Sequence, residues 1–155
     1  MTTDIAVLNG PDELRAAVGK SFGPSEWITV SQEMINTFAE ATRDFQWIHV
    51  DTERAKTQSP FGTTIAHGYL TLSLGPALLE EILTFSGFSM VLNYGLDRVR
   101  FPNPVPTGSN LRMTATVSKV DTFEGGCQTT MQLAFELQGQ DKPACVADII
   151  FRQYN

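Results

Sequence analysis

Along the second half of the chain, apolar and polar side chains alternate with a period of two. Cys127, Thr129, Met131, Leu133, Phe135 and Leu137 interleave with Gln128, Thr130, Gln132, Ala134, Glu136 and Gln138, which predicts a strand with one face in a core. Similar alternation runs through Val91 to Phe101, Leu111 to Phe123 and Ala144 to Phe151. The breaks between them are Pro102-Asn103-Pro104-Val105-Pro106-Thr107-Gly108 and Glu124-Gly125-Gly126, both rich in turn formers. The first half reads instead as helices and loops. Ser31 predicts an N-cap for a helix with Met34, Ile35, Phe38 and Ala39 on one side and Glu33 in its first turn, ending just before Asp44. From Gly68 to Leu83 the residues Leu70, Leu72, Leu74, Ala77, Leu78, Leu79, Ile82 and Leu83 are apolar nearly all round, as in a helix buried on most sides. Gly75-Pro76 should kink or interrupt it. Four long antiparallel strands and one apolar helix predict an α+β fold, a curved antiparallel sheet wrapped around a central buried helix.

Composition narrows what this body can do. At 155 residues, with no Pro-, Ser- or Gly-rich divide, the chain reads as a single domain over 1–155. Hydrophobic residues at 42% against charged residues at 18% can build a core, which argues against disorder. The net charge of -6 comes from 17 acidic and 11 basic residues with no basic block, so nucleic acid and an anionic membrane surface are poor partners. Cys127 and Cys145 match no metal-binding spacing and are too few for a disulfide scaffold; they predict buried thiols in a reducing compartment. The start Met1-Thr2-Thr3-Asp4-Ile5-Ala6 lacks the basic and apolar stretches of a secretory signal, and polar residues and Pro76 interrupt the greasiest stretch. The expectation is a cytoplasmic protein.

The candidate chemistry lies in Ala41-Thr42-Arg43-Asp44-Phe45-Gln46-Trp47-Ile48-His49, with the only other histidine at Ile65-Ala66-His67-Gly68-Tyr69. Five helical steps of about 100° set side chains roughly 140° apart, so Asp44 and His49 suit a loop rather than one helix face. On a loop folded back on itself, both could hold one water. An imidazole near neutrality beside a carboxylate is what general acid and base chemistry uses. The plainer alternatives are a surface pair at Asp44 and His49, a core histidine at 67, and at Gly68 a glycine that only permits close packing.

Asp44-Phe45-Gln46-Trp47-Ile48-His49 resembles the D-x-N-P-[IL]-H signature of the MaoC-like (R)-specific enoyl-CoA hydratases. Pro60-Phe61-Gly62 through Ile65-Ala66-His67-Gly68 is similar to the helix entry that follows it in those proteins, and the likeness continues through Asn93-Tyr94-Gly95-Leu96 and Arg98-Val99-Arg100-Phe101-Pro102. Gln46 stands in place of Asn and Trp47 in place of Pro, a pair shared with a nodulation protein N-like branch of the family. The resemblance implies a hot-dog fold, a homodimer, and an acyl-CoA thioester entering between or beside the subunits. It also implies that Asp44 and His49 hold and activate water while the backbone N–H of Gly68 faces the thioester oxygen, a suitable donor for the charge that develops there.

The reading reached from the sequence is reversible hydration of a trans-2-enoyl-CoA to the (R)-3-hydroxyacyl-CoA, in fatty acid metabolism. Asp44, His49 and Gly68 are its catalytic candidates. Gln46, Trp47, Phe61, His67 and Tyr69 are the substrate-binding candidates, with Phe61 and Tyr69 as core or pocket wall rather than chemistry. No metal and no cofactor beyond the coenzyme A of the substrate is required. A hot-dog thioesterase and a non-catalytic acyl-thioester binding subunit are the alternatives. Arg98, Arg100 and Arg112 either meet the coenzyme A phosphates or face solvent.

Overall fold

A computed structural model describes residues 4–155; residues 1–3, part of the start read above, lie outside the described residues. The elements are β1 (Ala6–Asn9), α1 (Gly10–Ala16), β2 (Ser21–Phe22), β3 (Ile28–Val30), α2 (Gln32–Thr42), α3 (Trp47–Val50) and α4 (Thr52–Gln58). They continue with α5 (Gly68–Ser73), α6 (Gly75–Glu80), β4 (Leu83–Ser86), β5 (Met90–Arg100), β6 (Ser109–Phe123), β7 (Gly126–Leu137) and β8 (Cys145–Tyr154). The main sheet runs β2-β6-β7-β8-β5, with β3 also on β6, and every pairing in it is antiparallel. The alternation seen in the sequence gives β6, β7 and β8 a buried face, whereas β5 is exposed along most of its length and lacks the buried face read there. Met113, Ala115 and Val117 of β6, Met131, Leu133 and Phe135 of β7, and Ala147, Ile149 and Phe151 of β8 share a core with Leu78, Leu79 and Ile82.

Two expectations need correction. The first half is not free of strands: β1 pairs in parallel with β4, and β2 and β3 both pair with β6. Segments of two to four residues are too short for a period of two to stand out, so their state is decided by the partner strand. The apolar helix also ends earlier than Leu83, which begins β4 opposite Ala6. Ile82 and Leu83 are buried as helix or as strand, so apolarity alone did not mark the boundary. The expected interruption is present, because α5 and α6 meet at Leu74 and Gly75, with Pro76 in the first turn of α6. A Cβ on Gly75 would stand 3.2 Å from Leu133 Cδ1 and 3.3 Å from Phe135 Cζ. Glycine here lets the helical joint sit directly on the sheet.

A second cluster positions the site. Ile35 of α2 packs with Val30, Leu70, Val105, Leu111 and Ala144, tying the helix to α5 and to the end of the sheet. Ser31 caps α2 as expected, its Oγ accepting from the Met34 N–H at 3.1 Å. Ser31→Ala removes that acceptor, which should cost about 1 kcal/mol and lower the melting temperature by roughly 2–4 °C, as read by circular dichroism. Burial also explains the thiols: Cys127 and Cys145 are free and buried, and desolvation pushes Cys145 up to about 12. Among the described residues, no helix is long and apolar enough to cross a membrane.

Among the described residues, the outer side of β5 has no partner strand. Met90, Val91, Leu92, Tyr94 and Leu96 are exposed along it, and a cleft of about 500 Å³ lies between Val91 and Asn93 of this strand and Pro76 and Leu79 of α6. An unpaired apolar edge is a template for another strand.

Candidate active site

α2 closes on Arg43, whose left-handed φ of 64° turns the chain into Asp44-Phe45-Gln46. Asp44 lies on this loop, its Oδ1 accepting from the Gln46 N–H at 3.3 Å. His49 does not share the loop, because it sits in α3, a single turn. One turn cannot sustain itself, and α3 is held from outside. The Ile65 N–H donates to the Ile48 carbonyl at 3.1 Å, and His49 Nδ1 bonds the Ile65 carbonyl at 2.7 Å. A carbonyl only accepts, so Nδ1 carries the proton and Nε2 is left with a free lone pair.

His67 joins the two candidates. Its Nε2–H donates to the main-chain carbonyl of Asp44 at 3.0 Å, and its ring stacks on that of His49 with centroids 3.9 Å apart and planes at 26°. Phe38 covers it at 4.9 Å. The alternative reading of His67 as a satisfied core residue holds only in part: it is 3% exposed, yet among the described residues its buried Nδ1 has no partner.

One Asp44 carboxylate oxygen and one nitrogen from each ring lie within 4.8 Å of one another. The nearly parallel stack fits a metal ion poorly, since an ion about 2.1 Å from both nitrogens would sit well outside at least one ring plane. A water, which accepts and donates over longer distances, fits better. Burial, the largest influence, holds His49 below its ordinary 6.5; the Ile65 carbonyl pulls it back up, His67 lowers it and Asp44 raises it. Desolvation acts this way because it penalises the imidazolium.

Beside His49 lies a cavity of about 280 Å³ lined by His49, Gly68, Thr71, Phe101, Val105 and Ala144, among others. Gly68 opens α5, where backbone N–H groups have no partner within the helix. A Cβ at Gly68 would come within 3.0 Å of the Phe101 ring, so the packing reading of this glycine and its place on the cavity hold together.

The other candidates are less well placed. Gln46 is exposed beside Asp44, and Trp47 is half-buried under the Arg54 guanidinium at 4.2 Å. Phe61 is exposed and does not line the cavity. Tyr69 is 71% exposed and meets the edge of Phe101 at 6.2 Å, so among the described residues neither aromatic lines this cavity. The wall is built by Phe101, Val105 and Ala144, which the sequence reading did not single out. Their one local signal is the proline-rich break, where the Ala66 N–H donates to the Val105 carbonyl at 2.8 Å. Arg112 is engaged with Glu136 through two hydrogen bonds of 2.6 and 3.0 Å and lies over Trp27, which leaves Arg98 and Arg100 as the exposed pair.

The sequence profile of the MaoC like domain family matches residues 13–136. The chain belongs to the MaoC-like family. Its MaoC-like relatives include 3-hydroxyacyl-thioester dehydratase Z of Mycobacterium tuberculosis, 50% identical over 141 residues that cover 90% of this chain and 93% of that protein. Nodulation protein N of Rhizobium leguminosarum is 46% identical over 146 residues, covering 89% and 87%. A monoamine oxidase regulatory protein from Archaeoglobus superimposes with a TM-score of 0.77 at 27% identity, over 97% of this chain and 99% of that one. The architecture of this MaoC-like chain, α5 and α6 against a curved antiparallel sheet, is the hot-dog fold.

Proposed function

We propose that this MaoC-like chain is a hydro-lyase that reversibly adds water to a trans-2-enoyl-CoA and yields the (R)-3-hydroxyacyl-CoA. One observation carries the reading: His49, with Nδ1 fixed on Ile65 and Nε2 free, lies within reach of the Asp44 carboxylate and beside the cavity that Gly68 lines. The dehydratase name of the mycobacterial relative supports the reaction class. In this reading Asp44 and His49 Nε2 orient the water and take one of its protons as oxygen bonds to C3. The negative charge passes to the thioester oxygen, where the Gly68 N–H meets it; one such donor is worth about 3 kcal/mol of barrier. The proton returns from the same acid system to C2, so water is added without any change of oxidation state and the residues need no redox cofactor.

The exposed apolar edge of β5 supports a homodimer built by strand addition, the assembly expected from the sequence. The cytoplasm and fatty acid metabolism complete the proposal.

The deciding experiment is a panel of short, medium and long trans-2-enoyl-CoA substrates, with loss of the enoyl chromophore, free thiol and product configuration followed together. Hydration without thiol release supports the proposal. Thiol release makes the chain a thioesterase, and binding with no turnover at any length makes it an acyl-thioester binding subunit.

The acid side of the pH profile follows from His49. Because burial disfavours its protonated form, the neutral base should persist to a pH below 6.5, and kcat/KM should fall only as pH drops through that lowered value. The unfolded chain takes up the proton nearer 6.5, so folding stability contributed by neutral His49 is complete above that pH and declines below it. Rate profiles and melting curves from pH 5 to 8 check both.

A further inference from the structure

We infer that Gln32 and Thr64 are positioning residues that fix the tautomer and placement of His49. The inference rests on the hydro-lyase reading of His49 for its effect on rate, though not for its effect on the ring. Gln32 opens α2 and is half-buried; Thr64 is fully buried ahead of His67. Gln32 Nε2 donates to the His49 carbonyl at 2.8 Å and to Asn36 Oδ1 at 2.9 Å. Its Oε1 accepts from the Thr64 hydroxyl. A carbonyl cannot donate, so the amide has only one orientation that satisfies His49, and that orientation presents Oε1 to Thr64.

These bonds close a ring. From Gln32 the path runs to the His49 carbonyl, through the His49 side chain to its Nδ1–H, on to the Ile65 carbonyl at 2.7 Å, along the chain to Thr64, and back to Gln32. The Gln32 side chain, together with the Ile65 N–H bond to the Ile48 carbonyl, therefore fixes the spacing between α3 and the 64–67 segment. That spacing is what makes the Nδ1–Ile65 bond, and the bond is what keeps the proton off Nε2. The far side is anchored too, since the Thr107 N–H donates to the Thr64 carbonyl at 3.0 Å. Neither side chain lines the cavity beside His49, so both act through His49 and not on substrate.

The test pairs ring ¹⁵N chemical shifts of His49 with steady-state kinetics. In the unaltered protein the shifts should show Nδ1 protonated and Nε2 free. Thr64→Val keeps the shape and deletes the hydroxyl; it should produce a mixture of tautomers and lower kcat by about 10- to 100-fold, the scale of a displaced catalytic group, with KM unchanged. Its acid limb should move to lower pH, because the Ile65 bond that raises His49 is loosened. Thr64→Ser should restore both readouts. Gln32→Met, which keeps bulk without the amide, should repeat the Thr64→Val result. The inference is overturned if folded Thr64→Val and Gln32→Met chains keep the tautomer and the rate, if both fail to fold, or if the unaltered ring carries its proton on Nε2. Absence of hydration in the unaltered protein would sink the hydro-lyase reading while the shifts still decide the clamp.

Discussion

Asp44→Asn should lower kcat for enoyl-thioester hydration by about 10²- to 10⁴-fold, the contribution of one acid or base group, and leave the melting temperature unchanged. The two halves of that expectation have separate causes. The rate should fall because, in the proposed mechanism, the amide cannot share a proton with the water that Asp44 and His49 would hold between them, their polar atoms lying within 4.8 Å. The fold is indifferent because Asp44 is exposed and, among the described residues, its side chain accepts one hydrogen bond, from the Gln46 N–H at 3.3 Å, which an amide oxygen can also accept. His49→Gln should cost a similar factor in rate, but with some loss of stability, since it gives up the ring stack with His67 and strains the Ile65 bond. The double variant should fall short of the product of the single effects, as residues that act as a unit do. Initial rates and thermal melts of the three variants provide the check. Full activity in both single variants would remove the dyad from the mechanism.

The sequence carried the fold where one residue reports on one face. The strands β6, β7 and β8 were legible because each presents at least four buried positions at a spacing of two against a continuous core, and α2 was legible because Ser31 and the side formed by Ile35 and Ala39 agree. What escaped was decided at a distance. β1 and β4 exist through each other, and no window of four residues contains its partner. The interruption at Gly75-Pro76 was visible because proline and glycine act locally; the change to strand at Leu83 was not, because it depends on Ala6.

The candidate site divides in the same way. Asp44 and His49 stand out because their spacing is short and their chemistry is specific. The stacking of His67, its grip on the Asp44 carbonyl and the capture of His49 by Gln32 all cross from one segment to another. Phe61 and Tyr69, read from the sequence as core or pocket wall, are instead exposed in this chain. A pocket wall is a property of packing, and here it is supplied by Phe101, Val105 and Ala144.

Phe135→Ala should give the largest loss of stability from a single core change, about 3–5 kcal/mol. Phe135 is fully buried in β7, and its Cζ lies directly beneath Gly75, where α5 and α6 meet. Removing the ring leaves a void that two short helices joined at a glycine can fill only by settling toward the sheet. Against a total of about 5–15 kcal/mol for a domain, the loss would lower the melting temperature by roughly 6–20 °C. Settling also carries Gly68, at the far end of α5, away from the cavity it shares with His49. The folded fraction of Phe135→Ala should therefore turn over more slowly than the unaltered protein at 20 °C, well below either melting point. Phe135→Leu, which refills most of the void, should recover most of both properties. Full activity in a Phe135→Ala chain with the predicted drop in melting temperature would show that the helical joint holds Gly68 without support from the sheet.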